Sequence, residues 1–262
     1  MIQSVVQFYD TLNPLLALAI HNGHALPEHL LPFNGLPDET RFREEDPHTG
    51  TFARLFPNRI VVETSRFALD LNRSPERAIY QNPEDAWGLN VRSHPLTDDI
   101  LQGLQQDYSE WYAVLKYEIE RMLSFHPFLV VLDLHSYNHL RGGPDAEPDP
   151  QEDNPDIILG RNNMPQEYYP HIDALRALLD GKDFCGKKLD VRCDVKFPGG
   201  YLSRWLHNTF PGQLLCLSVE FKKIFMDEWS GKLNPVSIQS LRFSFRSAID
   251  SWFKDLPVIQ RH

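Results

Sequence analysis

Two histidines of this chain stand in matched positions: His21 directly follows the apolar run LLALAI (15–20), and His135 directly follows FLVVLDL (128–134). Imidazoles delivered by neighbouring strand ends suit a zinc ion, which takes a carboxylate as its usual third ligand and keeps a fourth position open for water. A single strand-end histidine is ordinarily a hydrogen-bonded structural residue, but two in the same context point to a shared task. Candidates for the third ligand are His24, three residues beyond His21 across an Asn-Gly turn, and Glu45 and Asp46 of the stretch REED (43–46). The plain alternative for REED is a solvated surface run. His29, the last histidine of the segment IHNGHALPEHL, is expected at the surface.

Further groups with chemical potential follow other apolar runs. SRFALDLNR (65–73) carries Arg66, Asp70, Asn72 and Arg73 between Phe67, Leu69 and Leu71, an alternation that predicts an extended piece with its polar side towards a pocket. Arginine forks grip carboxylates bidentately and can polarise a carbonyl oxygen as charge develops on it; ordinary surface Arg-Asp pairing is the alternative. Glu220 directly follows QLLCLSV (213–219). A carboxylate there is costly unless it has a partner, such as Lys222 or Lys223, or a task, such as taking a proton from zinc-bound water and passing it to a leaving nitrogen. KFPGGYLSRW (196–205) and SYNHLRGG (136–143), with Tyr137, Asn138, His139 and Arg141, read as loop walls or simple turns. The chain has no GxSxG, HExxH, GxxxxGK[ST] or GxGxxG. Metal-assisted hydrolysis is the chemistry left by that survey.

The elements that must position these groups are legible as patterns. LLALAI, RIVVE (59–63), FLVVLDL, LDVRCDV (189–195) and QLLCLSV are too short for helices and read as buried strands of one sheet. Thr97–Met122 reads as a helix capped by Thr97, with a stripe through Ile100, Leu104, Tyr108, Trp111, Leu115, Ile119 and Met122 that should lie on the sheet. Val236–Phe253 reads as a second helix, burying Ile238, Leu241, Phe245, Ile249 and Trp252. Helices between strands predict an α/β layer architecture with a mostly parallel sheet, in one domain over 1–262. Ligands of such sheets gather at the carboxyl ends of the strands, where all the groups above would converge. RGGPDAEPDPQEDNPD (141–156) reads as a long loop.

Composition narrows the partners. A formal charge of −10 without any Lys/Arg block argues against nucleic acid or an anionic membrane surface, while a local basic cluster can still hold an anionic small molecule. Cys185, Cys193 and Cys216 have no CxxC spacing, so they are expected as reduced residues of a cytoplasmic protein, soluble and unprocessed.

The ordered set HNGH, REED, SRFALDLNR, DLHSYNH, NPDIILG, FPGGY and EFKKIFMDEW, spanning about Leu15 to Gly231, resembles the N-formylglutamate amidohydrolase family. That family is similar to the zinc carboxypeptidases and to the aspartoacylase and succinylglutamate desuccinylase group. The resemblance implies an α/β fold with a central mixed, mostly parallel sheet of eight strands flanked by helices. It implies one zinc ion, or another divalent metal, held by His21, Asp46 and His135. It further implies Asn72 and Arg73, with Tyr137, as contacts for a small anionic substrate, Arg66 at the oxyanion, and Glu220 as general base. The relatives' H-x-x-E would put a glutamate where His24 stands, so the acid is expected at Asp46, with Glu45 next and His24 as a near-site residue or alternative ligand. The family commonly has a proline where Ile20 precedes the histidine, and EFKKIFMDEW marks a divergent branch. The activity implied is hydrolysis of a small N-acyl amino acid, N-formyl-L-glutamate first. A carboxypeptidase-like hydrolase acting on a peptide or cell-wall fragment is the alternative, and a metal-free binder of a small carboxylate is the alternative of another class.

Overall fold

In the computed structural model, which describes residues 2–256, strands β1 (Ser4–Phe8), β2 (Leu15–Ala19), β3 (Asn58–Val62), β4 (Leu129–Tyr137), β5 (Ile157–Gly160), β8 (Val191–Cys193) and β9 (Leu214–Lys222) form one sheet; β6 (Asp183–Phe184) and β7 (Lys187–Lys188) make a separate hairpin. The sheet order is β1-β3-β2-β4-β9-β5-β8. Strands β3, β2, β4 and β9 run parallel, β5 and β8 run opposite to them, and β1 is antiparallel at the other edge. The expected mixed, mostly parallel α/β architecture is therefore present, with seven strands in place of eight. All five predicted strands lie in this sheet. Two others gave little signal: β1 is a half-exposed edge strand, and β5 is only four residues long.

Each inner strand is buried on both faces, so its residues divide by period two between two cores. Leu15, Ala17 and Ala19 face one side, where they meet Phe52, Leu175, Leu241 and Phe245; Leu16, Leu18 and Ile20 face the other, against Leu104, Leu115 and Ile119. Helices α2 (Thr49–Ala53), α4 (Tyr169–Leu179) and α6 (Pro235–Lys254) thus cover the first face, and α3 (Asp98–Leu123) with α5 (Tyr201–Thr209) the second. Both predicted helices form within a residue or two of the expected limits. The α3 stripe is buried throughout except for Ile100, which is partly covered, and Thr97 stands at the cap position without a side-chain cap bond. A short helix, α1 (Asp38–Glu44), precedes REED's acidic end.

The same alternation sets the site. On β4, Asp133 and His135 fall on the face of Leu129 and Val131; on β9, Ser218 and Glu220 fall on the face of Leu214 and Cys216. The parallel register then pairs Asp133 with Ser218 and His135 with Glu220. Apolar residues fill the middle of the two strands, and polar ones follow at their carboxyl ends. Both strands run past the apolar cores, so His135 and Glu220 lie within strands, not just beyond them as their sequence context suggested.

The cysteines are all free, and Cys216 is buried. Residues 141–156 are irregular, as expected for the long loop, and are pinned where Lys222 Nζ donates to Gln151 Oε1 (2.6 Å) and to the Asn154 carbonyl (2.8 Å). Among the described residues no helix is long and apolar enough to cross a membrane. Leu217, fully buried in the inner strand β9, belongs to the first core. Leu217→Ala should lower unfolding free energy by about 2–5 kcal/mol in urea titration followed by circular dichroism, without changing the far-ultraviolet spectrum of the folded state.

Candidate active site

A cavity of about 320 Å³ opens at the carboxyl ends of the parallel strands, and His21, Asp46, Arg66, Asn72, Arg73, Tyr137, His135 and Glu220 all line it. Chain segments far apart in sequence therefore meet at the edge where an α/β sheet ordinarily holds its ligand.

His21 and Asp46 are joined first through the backbone. The Asp46 amide donates to the His21 carbonyl (3.0 Å), and the Gly50 amide at the start of α2 donates to Asn22 Oδ1 (2.8 Å). The turn must lie close against β3, because a Cβ at Gly23 would sit 2.1 Å from the Glu63 backbone. One Asp46 oxygen, Oδ2, then lies 3.4 Å from His21 Nδ1 and 3.1 Å from His135 Nδ1, with the rings 4.9 Å apart. His21, Asp46 and His135, all buried, offer ligand atoms within 4.8 Å of one another.

The far sides of both rings are held by carboxylates. His21 Nε2 lies 2.7 Å from Asp70 Oδ1, and His135 Nε2 lies 2.9 Å from Asp133 Oδ1; both aspartates are completely buried. A carboxylate on one imidazole nitrogen orients the ring and makes the other nitrogen a better metal ligand. His21 Nδ1 is buried without a hydrogen-bond partner among the described residues, an expensive state for a polar atom unless a ligand completes it. The donor set of two imidazoles and a carboxylate suits zinc or a neighbouring divalent metal, so residues and metal fit. Burial alone would lower the His135 pKa, but the charge of Asp133, with Asp46, holds it well above the ordinary value. Asp46 is pulled well below the usual carboxylate range despite burial, because the His135 imidazole bonds to it and the His21 imidazole lies against it.

The other wall comes from 65–73, which is a series of turns and not the extended piece that alternation suggested. The Ala68 and Leu69 amides both bond back to the Ser65 carbonyl, so Arg66 and Asp70 meet across one helix-like turn. Arg66 Nη2 donates to Asp70 Oδ2 (2.7 Å) and Tyr80 Oη (3.3 Å), while Arg73 Nε lies 3.9 Å from the same carboxylate oxygen. Trp87, unanticipated from sequence, lies under both guanidiniums, 5.0 Å from Arg66 and 6.0 Å from Arg73. Asn72 Oδ1 accepts from the Leu202 amide at the start of α5 (3.0 Å), which leaves its amide N–H groups for a ligand. Gly200 permits this close approach: a Cβ there would lie 2.2 Å from the Asn72 amide. The second half of KFPGGYLSRW is thus helix rather than loop.

Glu220 lies on the strand beside His135, partly buried, and pairs with no side chain among the described residues. Lys222 bonds Asp156 (2.7 Å), and Lys223 donates to the carbonyls of Arg43 (2.6 Å) and Glu45 (2.7 Å) and to Asn138 Oδ1 (2.7 Å), so the alternative of a structural salt bridge to Glu220 is not realised. Burial pushes the Glu220 carboxyl up to about 8, against the pull of the His135 charge.

Two ligand alternatives fall away from the cluster. Glu45 is buried, accepting from Ser65 Oγ and from His24 Nδ1 (2.6 Å), and His24 is half-exposed, 3.1 Å from Asp38 as well. REED is consequently no solvated run at its acidic end. His29 is exposed. Tyr137 lines the cavity with its ring, because its hydroxyl donates to the Pro155 carbonyl. Asp133 was discoverable, since D-x-H within one strand places both side chains on one face; Asp70 was visible but not its bond to His21.

This arrangement defines an α/β protein with a small-molecule site of hydrolytic type at its strand ends. The chain belongs to the N-formylglutamate amidohydrolase family, whose sequence profile matches residues 13–225, and is an amidohydrolase. Its fold is similar to the crystal structure of N-formylglutamate amidohydrolase from Ralstonia eutropha, at 17% identity and a TM-score of 0.74 over 96% of this chain and 97% of that one. It is also similar to a gene product of Agrobacterium tumefaciens, at 18% identity and a TM-score of 0.64 over 95% of each chain. No curated protein matches the chain in sequence.

Asp70→Asn keeps the shape of the side chain and removes its charge from behind His21. It should weaken divalent-metal affinity roughly 10- to 100-fold in chelator competition.

Proposed function

We propose that this chain is a zinc-dependent amidohydrolase of small N-acyl amino acids, N-formyl-L-glutamate being the leading substrate, with formate and glutamate as products. The reading rests on one observation: two imidazoles backed by buried aspartates turn their Nδ1 atoms towards one Asp46 carboxylate, beside the unpaired Glu220. His21, Asp46 and His135 would hold the ion. When bound, it supplies Lewis acidity, acidifying water and polarising the acyl carbonyl.

Glu220 takes the proton of the attacking water and delivers it to the leaving nitrogen, so that the amine departs neutral. A carboxylate with no side-chain partner among the described residues can do both, and a cation held by His21, Asp46 and His135 would favour its ionised form. Arg66 faces the negative charge that develops on the carbonyl oxygen. Its guanidinium is held by Asp70 and Tyr80 before substrate arrives, so little reorganisation is needed. Asn72 and Arg73 receive the substrate carboxylate, and Tyr137 supplies an apolar wall, which together turn the attack into a positioned step. The work belongs to a single domain acting on a cytoplasmic anionic solute. Two imidazoles so held are poor design for a metal-free binder, which would gain nothing from the buried aspartates.

Release of formate from N-formyl-L-glutamate by zinc-loaded protein, against release of C-terminal residues from peptides, tests the substrate. Glu220→Gln should lower kcat by about 10²–10⁴-fold with metal content unchanged. Arg73→Ala should raise KM with a smaller effect on kcat, seen in steady-state kinetics of the same substrate.

A further inference from the structure

The motif EFKKIFMDEW contributes Glu220 to the site, but its last residues have no part in the chemistry above. They build a clamp. Glu228, completely buried, accepts from the backbone amides of His139 (2.7 Å) and Leu140 (3.1 Å), and Trp229 Nε1 donates to the Leu140 carbonyl (2.9 Å). Three backbone groups are thus fixed immediately before Arg141, at the start of a long irregular loop.

Arg141 itself lines the cavity with its side chain half exposed, and among the described residues its one ion-pair contact is Glu44 Oε2 at 3.6 Å. Glu44 is already engaged by Arg43 Nε (3.2 Å), and the Arg43 guanidinium lies 4.0 Å over the Trp229 ring. A fixed backbone with a nearly free guanidinium is the opposite of Arg66, whose side chain is locked. Arg141 and Arg66 with Arg73 belong to different chain segments, on either side of β4 in sequence, and each borders the same cavity.

We propose that Arg141 is the specificity-determining residue for a second, side-chain carboxylate, so that the site selects N-acyl amino diacids over their neutral counterparts. This rests on the amidohydrolase reading above, which assigns Asn72 and Arg73 to the first carboxylate. The incoming carboxylate takes the free guanidinium N–H donors, a charge-assisted bond that an amide cannot match. Glu44 keeps Arg141 from collapsing elsewhere and repels a misplaced anion. The Glu228–Trp229 clamp fixes the backbone from which the Arg141 side chain reaches, and so sets the length of substrate side chain it can meet.

The test compares kcat/KM for N-formyl-L-glutamate and N-formyl-L-glutamine, which have the same shape, in the zinc-loaded wild type, Arg141→Gln and Arg141→Lys. Wild type should prefer the diacid, and Arg141→Gln should reduce that preference ratio roughly 10- to 100-fold, with Arg141→Lys in between. A wild type that turns over both substrates equally, or a ratio unchanged by Arg141→Gln, overturns the role of Arg141 and leaves the amidohydrolase reading intact. A wild type that hydrolyses neither overturns both.

Discussion

Asp70 is a carboxylate with no exposure to solvent, and the site is organised around keeping it charged. An isolated buried carboxylate costs several kcal/mol, and removing one partner from a buried ion pair typically costs about 3–5 kcal/mol. Here the charge is met from several directions: His21 Nε2, the Asn72 backbone N–H (2.8 Å), Arg66 Nη2 and the Tyr80 hydroxyl all point to its two oxygens. Burial would raise the Asp70 pKa, but the charge of Arg66, with His21, holds it well below the usual range. The same carboxylate orients the His21 imidazole on one wall of the cavity and the Arg66 guanidinium on another. A change at Asp70 is therefore felt in both halves, and effects of substitutions around it should not add.

The second anchor is the β4–β9 register. Parallel pairing over nine residues sets His135 beside Glu220 and Asp133 beside Ser218, so a slip of one residue would turn every one of these groups to the opposite face. The apolar halves of both strands lock that register by burying Leu132, Leu134, Leu217 and Val219 in one core. Chemistry at the strand ends is thus a consequence of packing further along the same strands. Lys223 ties the third element in: its three bonds join β9 to the acidic end of REED and to Asn138, and so bring the segment carrying Asp46 to the two strands.

Much of this was legible because burial and chemistry leave different traces. Strands buried on both faces read as continuous apolar runs, and the polar residue that interrupts each run marks the limit of the apolar core near the carboxyl end of the strand; that logic brought His21, His135 and Glu220 together. Asp46 over Glu45 was a matter of resemblance, and its physical reason is local: Glu45 is captured by Ser65, His24 and Arg41, whereas Asp46 is tethered to the His21 backbone. Alternation misled at SRFALDLNR, because period two in a short polar-apolar stretch also fits successive turns. The edge strand β1 and the four-residue β5 carry too little pattern to be seen. Trp87 and the Glu228 clamp depend on long-range contacts for which local sequence has no signal.

The central claim is that Asp70 and Asp133 hold the imidazoles by Nε2, so that both Nδ1 atoms and Asp46 face one ion. Crystals of zinc-loaded protein, measured at the zinc absorption edge, test it directly. A single anomalous peak bounded by His21 Nδ1, His135 Nδ1 and Asp46 is the expected result. A peak at either Nε2, a ligand set built on His24 or Glu45, or no peak within the cavity would contradict it.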